Sequence, residues 1–466
     1  MWHTGGVNVT LLVVVAGLVG VSAVVAAFTT TAMTKMKVAV VLALPQVMVP
    51  GLPLYLSGAL IWILLCGVAL VKEKKLGWTR VSVAIAAVGL VSLAAAMWSS
   101  DLGLAMGTTL QAFAVLVVCV YVGSIQQSGL SLKPILTTLA FVSLIQSALV
   151  VLFRLSPEAE EAYWRSPAAT VFLGASRLVN FFYGEGDNVS DPQKSGGIWL
   201  NANTASMFLG ATAMLLAWGA CIYGSRSLCF AAILVWVAVF FTGSKTGLAL
   251  AIVLPTVGAI VGVVLGRARG LLALPTALLA IPGVFVLSQL LVNLLPDALV
   301  KESSITLGTR GVIWSTAASL FPDNWLLGLG FGGWDASFYA ASGGALGRSF
   351  PPHNVEVAAW SNGGIVLALA IVCLFVVVVA EGLRKVISAT GRRALGWSFA
   401  TMGVLWIVIH GQADVVEFFG DLRSLVVFGI LLGVIAIAKG DLDTPSRGAE
   451  RAIGASRDRR KTLYPA

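Results

Sequence analysis

The amino-acid sequence predicts an all-α, polytopic membrane protein with about 12–13 transmembrane helices and a large loop on one face that contains short helices. Three observations carry this. Of 466 residues, 58% are hydrophobic and only 11% charged, with a mean hydropathy of +0.93. Soluble domains carry about 25% charged residues, so a soluble core does not account for the deficit. Apolar segments recur along almost the whole length, which predicts a single transmembrane domain over 1–438 and a polar, basic tail over 439–466. The apolar runs also lack period-two alternation, so the helix rather than the β-barrel is the way to satisfy the backbone in a bilayer.

Taken in order, spans are expected at 7–28, 38–52, 54–71, 79–98, 104–124, 134–153, 202–223, 228–243, 246–265, 271–295, 356–381, 394–412 and 422–438. The first lacks a preceding basic flank and a cleavage site, which reads as a retained span rather than a signal peptide. Pro45, Pro50 and Pro53 interrupt the second and third, leaving two spans or one with an irregular start.

Lysine and arginine in the loops set the orientation. Loops 29–37, 72–80, 125–133, 224–227, 266–270 and 382–393, with the tail, hold 21 of the 30 basic residues. The opposite loops hold nine, together with 15 of the 21 acids. The first set, tail included, is therefore expected in the cytoplasm. The net charge of +9 is a topology signal, and no nucleic-acid partner is implied. The other face carries two insertions, 154–200 and 296–355, of a length that is functional or disordered in most proteins. Trp164, Trp314, Trp325, Trp334 and Tyr339 argue for order at a membrane interface. Within the second insertion, Arg310–Phe321 reads as an amphipathic helix, followed by the turn-rich LGLGFGG.

The five cysteines lie in or beside apolar segments without metal spacing, and read as small core residues. P-loop and Rossmann glycine patterns are absent. Asp441-Leu442-Asp443 has the form of a metal-binding DxD, but it lies within the basic tail expected in the cytoplasm and is set aside; no metal or cofactor is expected. Carboxylates are scarce inside the spans, whereas transporters and proton pumps keep ionisable groups there. Any active region is thereby moved to the outer water interface.

On that face, three cationic or ionisable residues fall where helices are expected to begin. Ser244 is a candidate N-cap that puts Lys245 in a first turn. Thr309 is a candidate cap before Arg310. Pro351-Pro352-His353-Asn354 places a histidine, one of three in the chain, at a helix start capped by Asn354. Helix N-termini disfavour cations by roughly 0.3–1 kcal/mol each. Their gathering on one face makes sense around an anion such as a diphosphate, beside an uncharged imidazole. Each residue also has a plainer reading. His353 alone is a surface residue, Lys245 snorkels to headgroups, and Arg310 pairs with Glu302 or a headgroup. Arg154, Arg165, Arg177, Lys194 and Arg348 anchor the interface or grip substrate. Asn201 and Asn203 read as caps, and Asp414 and Glu417 as a solvated loop.

Ser244-Lys245, Arg310 with Trp314, the turn from Pro322 through Gly333, and His353-Asn354, with Gly364 further on, resemble in order the O-antigen ligase and O-antigen polymerase superfamily of bacterial inner-membrane glycosyltransferases. Lys245 stands where that family has an arginine, keeping the charge but losing the planar fork. Leu367 replaces the family's Gly, Thr or Tyr. The resemblance implies a GT-C-like fold in the inner membrane with a periplasmic site. The implied donor is a glycan on undecaprenyl diphosphate, and the acceptor is lipid A–core oligosaccharide or another glycan. Transfer would be metal-independent and inverting, with His353 as general base and Arg310 and Lys245 on the diphosphate. Asn354, Ser244, Trp314, Arg177, Lys194 and Arg348 would support them. A ligase is favoured over a polymerase using the same donor, or over a transporter of the lipid-linked glycan.

Overall fold

The computed structural model describes residues 9–45, 57–72, 77–173, 191, 193–267, 297–346, 349–412 and 423–437. The expected span 271–295, the tail, Arg177, Arg348, Asp414, Glu417 and the Asp441-Leu442-Asp443 triplet lie outside these residues.

The described chain is helical throughout and contains no strand. Its helices are α1 (Val9–Thr29), α2 (Ala32–Ala43), α3 (Gly58–Lys72), α4 (Arg80–Ala95), α5 (Leu102–Gln127), α6 (Lys133–Leu155), α7 (Pro157–Trp164), α8 (Pro167–Leu173), α9 (Ala202–Tyr223), α10 (Arg226–Phe241), α11 (Lys245–Arg267), α12 (Asp297–Asn324), α13 (Gly333–Ala341), α14 (Val355–Ser388), α15 (Gly391–Gly411) and α16 (Leu425–Ala436). Among the described residues, seven helices are long and apolar enough to cross a membrane, and four shorter apolar helices accompany them. The protein is a multi-pass membrane protein. Side chains of polar residues start several helices: Thr31, Thr79, Asp101, Asn201, Ser225 and Asn354 each accept a first-turn N–H.

The helices pack around α9 and α15, with α5 and α16 forming a second tight pair. That pair uses small residues to bring backbones together. A Cβ on Gly429 would stand 2.7 Å from the Val118 Cβ, and one on Gly433 2.6 Å from the Val122 Cβ. The four-residue spacing on both helices makes one seam.

At one end, Arg392 Nε donates to Cys221 O (2.6 Å), the Leu132 N–H to Tyr223 Oη (3.2 Å), and Lys385 Nζ to Val434 O (3.1 Å) and Ile437 O (2.6 Å). Lys385 thus meets the carbonyl end of α16, where a cation is favoured. The other end holds the turns after α4 and α10, the last turn of α15, and residues 325–346 and 349–354.

Three expectations need correction. Residues 29–37 are not a loop: Thr31 caps α2 and Lys35 is buried on it, with Nζ donating to Tyr121 Oη at 3.4 Å. Thr309 does not start a helix, because α12 runs through it from Asp297. The span at 356–381 is broken. Gly363 (φ −145°, ψ 17°) and Gly364 (φ 70°, ψ −170°) leave helical geometry and divide α14 into a short first part and a long second one.

Candidate functional site

The first helix start is built by Ser244. Its Oγ accepts the Gly247 N–H (3.2 Å) and donates to Asn203 Oδ1 (2.7 Å), so Lys245 is the first residue of α11. The turn before it is covered by the end of the 154–200 insertion. The Ser195 N–H donates to Thr242 O (2.9 Å), and a Cβ on Gly243 would lie 3.1 Å from Lys194 Cα. Lys194 therefore lies over the Lys245 turn, where its Nζ pairs with Asp191 Oδ2 at 3.2 Å. Gln146, deep in α6, holds this cover down: its Nε2 donates to Gly196 O (2.9 Å) and its Oε1 accepts the Ile198 N–H (3.2 Å).

The second helix start is at His353. Asn354 caps α14, its Oδ1 accepting the Val357 N–H (2.9 Å). His353 itself has φ +47°, a left-handed backbone that costs a non-glycine residue of order 1–3 kcal/mol and persists only where its surroundings impose it. Those surroundings are visible. Trp334 Nε1 donates to Phe350 O (2.7 Å), Ser349 Oγ to Asp335 Oδ1 (2.7 Å), and Pro352 is buried. The 325–332 turn is tied to the bundle through Trp98 Nε1 to Leu327 O (2.9 Å) and the Asp101 N–H to Phe331 O (2.9 Å).

Polar side chains gather at both starts. Ser206 Oγ donates to Asn203 O (2.9 Å) and so accepts from His410 Nε2 (3.0 Å). That assigns the Nε2–H form to His410, which is fully buried in the last turn of α15. Two residues on, Gln412 Oε1 accepts from Asn354 Nδ2 (2.7 Å), and Gln412 Nε2 donates to Glu356 Oε1 (2.9 Å). Ser244, Asn203, Ser206 and His410 thus form one polar group and Gln412, Asn354 and Glu356 another, and the two adjoin at the end of α15, where His410 and Gln412 lie two residues apart.

Arg310 sits within α12. Ile313, Thr316 and Ala317, three, six and seven residues on, are buried, so Arg310 lies on the helix face that turns to the protein. Trp314 is 44% exposed on another face. The end of α12 reaches α14: Phe321 packs on Trp360 with tilted rings, centroids 5.3 Å apart, and Trp360 Nε1 donates to Asn324 O (3.2 Å). Among the described residues, no three His, Cys, Asp or Glu side chains gather as a metal site needs.

Sequence reasoning passed over Gln412, Gln146, His410 and Glu356. The available signal was amide and imidazole groups inside or at the very ends of apolar spans, where a polar group needs a partner. Asn203 has the position of a cap, but Asn201 does the capping and Asn203 ties α9 to Ser244.

Glu160 on α7 is 6% exposed, and burial pushes its carboxyl up to about 7, against a backbone hydrogen bond from Gly196 that lowers it. The folded state therefore holds this proton more tightly than the unfolded chain, whose carboxyl titrates near 4.5. Stability should fall as pH rises between these values and stay low above them. Glu160→Gln is expected to flatten that dependence and to protect the insertion at pH 8, measured by limited proteolysis across pH.

Residues 230–372 match the family model Wzy_C, O-antigen ligase. The matched stretch runs from α10 into α14 and contains Ser244, Lys245, Arg310, His353, Asn354 and Glu356. No curated protein matches the chain. The family match implies glycan transfer of the O-antigen ligase or polymerase type, on lipid-linked glycan substrates.

Proposed function

We propose that this protein is an O-antigen ligase of the bacterial inner membrane. It moves a glycan from undecaprenyl diphosphate to a hydroxyl of lipid A–core oligosaccharide at the periplasmic face. The observation that carries the reading is the pair of helix starts bearing Lys245 and His353, at one end of the bundle, each held by hydrogen-bonded polar side chains that adjoin at the end of α15, inside and beside the matched stretch. The excess of basic residues in the loops of the opposite end supports a cytoplasmic placement for that end.

The chemistry needs few groups. The acceptor hydroxyl gives its proton to His353 while its oxygen attacks the anomeric carbon. The bond from that carbon to the diphosphate oxygen breaks with inversion, and undecaprenyl diphosphate leaves with the electron pair. Lys245 and the N–H groups at the start of α11 stabilise the charge that develops on the diphosphate, with Arg310 supplying a second cation. Ser244 and Asn354 fix the two starts, and Lys194 covers the first.

Purified protein, given a defined undecaprenyl-diphosphate glycan and lipid A–core, should yield glycan on the core. Polymers accumulating on the carrier lipid would make it a polymerase. Glycan crossing proteoliposomes without transfer would make it a transporter. Lys245→Arg is expected to keep most of the transfer rate, and Lys245→Ala to lose about ten- to a hundredfold. Equal loss in both would mean that the charge is not what acts there.

A further inference from the structure

Glu356 has no part in the steps above, yet it stands in the first turn of the helix that follows His353. The hydrogen bonds around it run in one direction. Because Asn354 Oδ1 accepts the Val357 N–H, the Asn354 amide nitrogen is the donor to Gln412 Oε1. The Gln412 nitrogen is then the donor to Glu356 Oε1. Each assignment forces the next, and the chain ends on a carboxylate. The other oxygen, Oε2, is shut off from solvent and has no hydrogen-bond partner among the described residues. A buried carboxylate oxygen without a donor is costly, so a donor that reaches it would be favoured.

We infer that Glu356 is a positioning residue for His353. In the working enzyme its Oε2 accepts a hydrogen bond from the imidazole Nδ1–H. This turns Nε2 toward the acceptor hydroxyl and steadies the imidazolium formed when that proton arrives. The O–H bond of the acceptor breaks, an N–H bond forms at Nε2, and Glu356 stays ionised. The inference rests on His353 being the base. Three features favour the imidazole as partner. An enclosed oxygen does not face a substrate held in open water. A carboxylate is repelled by a bound diphosphate, so the donor substrate is a poor match. His353 is three residues away, on backbone held in place by Trp334 and the Asn354 cap, while Gln412 from α15 fixes the carboxylate.

The test uses the purified full-length protein in the transfer assay. Glu356→Gln keeps a carbonyl oxygen for the Gln412 N–H but replaces Oε2 with a donor, which holds the wrong imidazole tautomer. Its kcat should fall by about tenfold or more, with KM for both substrates nearly unchanged and with recovery in part by Glu356→Asp. In a His353→Ala background it should remove nothing further from the residual rate. An unchanged kcat beside an inactive His353→Ala protein overturns the positioning role and leaves the proposed function standing. A further loss on top of His353→Ala, or a rise in KM alone, also overturns it. Full activity of His353→Ala instead overturns the reading beneath. Should Glu356→Gln fold poorly, Gln412→Met breaks the clamp from the other helix. It should lower kcat and not KM, and no change in kcat counts against the proposal.

Discussion

His353→Ala is expected to lower glycan transfer by about 10²–10⁴-fold, the usual contribution of a general base, while the amount of protein in the membrane stays the same. The stability half of this expectation follows from the backbone. His353 has φ +47°, and alanine meets much the same strain there as histidine does. The neighbours that hold the segment, Trp334 on Phe350 O and the Asn354 cap on the Val357 N–H, do not use the imidazole. These supports therefore remain when the ring is removed, and the larger effect falls on proton transfer. Product formation by gel and membrane level by immunoblot separate the two effects. Full transfer by the alanine variant would remove His353 from the chemistry, and the proposed mechanism with it.

The ease with which parts of this site are read from sequence depends on how local their causes are. The starts of α11 and α14 are set by Ser244 and Asn354, whose side chains bond N–H groups three residues away, so local pattern suffices. The same local rule misplaces Thr309. It has the chemistry of a cap, but α12 passes through it because Ile313 and Ala317 bury a continuous face further along. Gln412 and Asn354 are 58 residues apart in the chain, and no spacing rule links them. Glu356 and Gln412 are of types that read as solvated until α14 and α15 are seen side by side. Hydropathy found the long apolar spans because they need only composition. It treated 356–381 as one of them because apolar residues flank Gly363 and Gly364 on both sides.

What breaks α14 comes from elsewhere in the chain, and this makes Gly364→Ala the most damaging small substitution to expect. The backbone around Gly364 is held by the turn after α12: the Ile365 N–H donates to Trp325 O (2.9 Å), and Ser361 O accepts the Leu329 N–H (2.6 Å). A Cβ on Gly364 would run into Leu326 O, a backbone atom that these same bonds prevent from moving away. The residue's φ of 70° with ψ of −170° lies in a region essentially reserved for glycine. Steric overlap and backbone strain add, so a loss of about 3 kcal/mol or more is expected, seen as a lower unfolding midpoint in detergent and less protein in the membrane. Gly311→Ala is the matched control: it lies within α12, no heavy atom stands within 4 Å of the added carbon, and it should gain about 0.5–1 kcal/mol. If Gly364→Ala behaved like Gly311→Ala, the turn would not be clamping the break. The first part of α14 would then have no fixed direction, and the approach of His353 to a substrate held at Lys245 would need another cause.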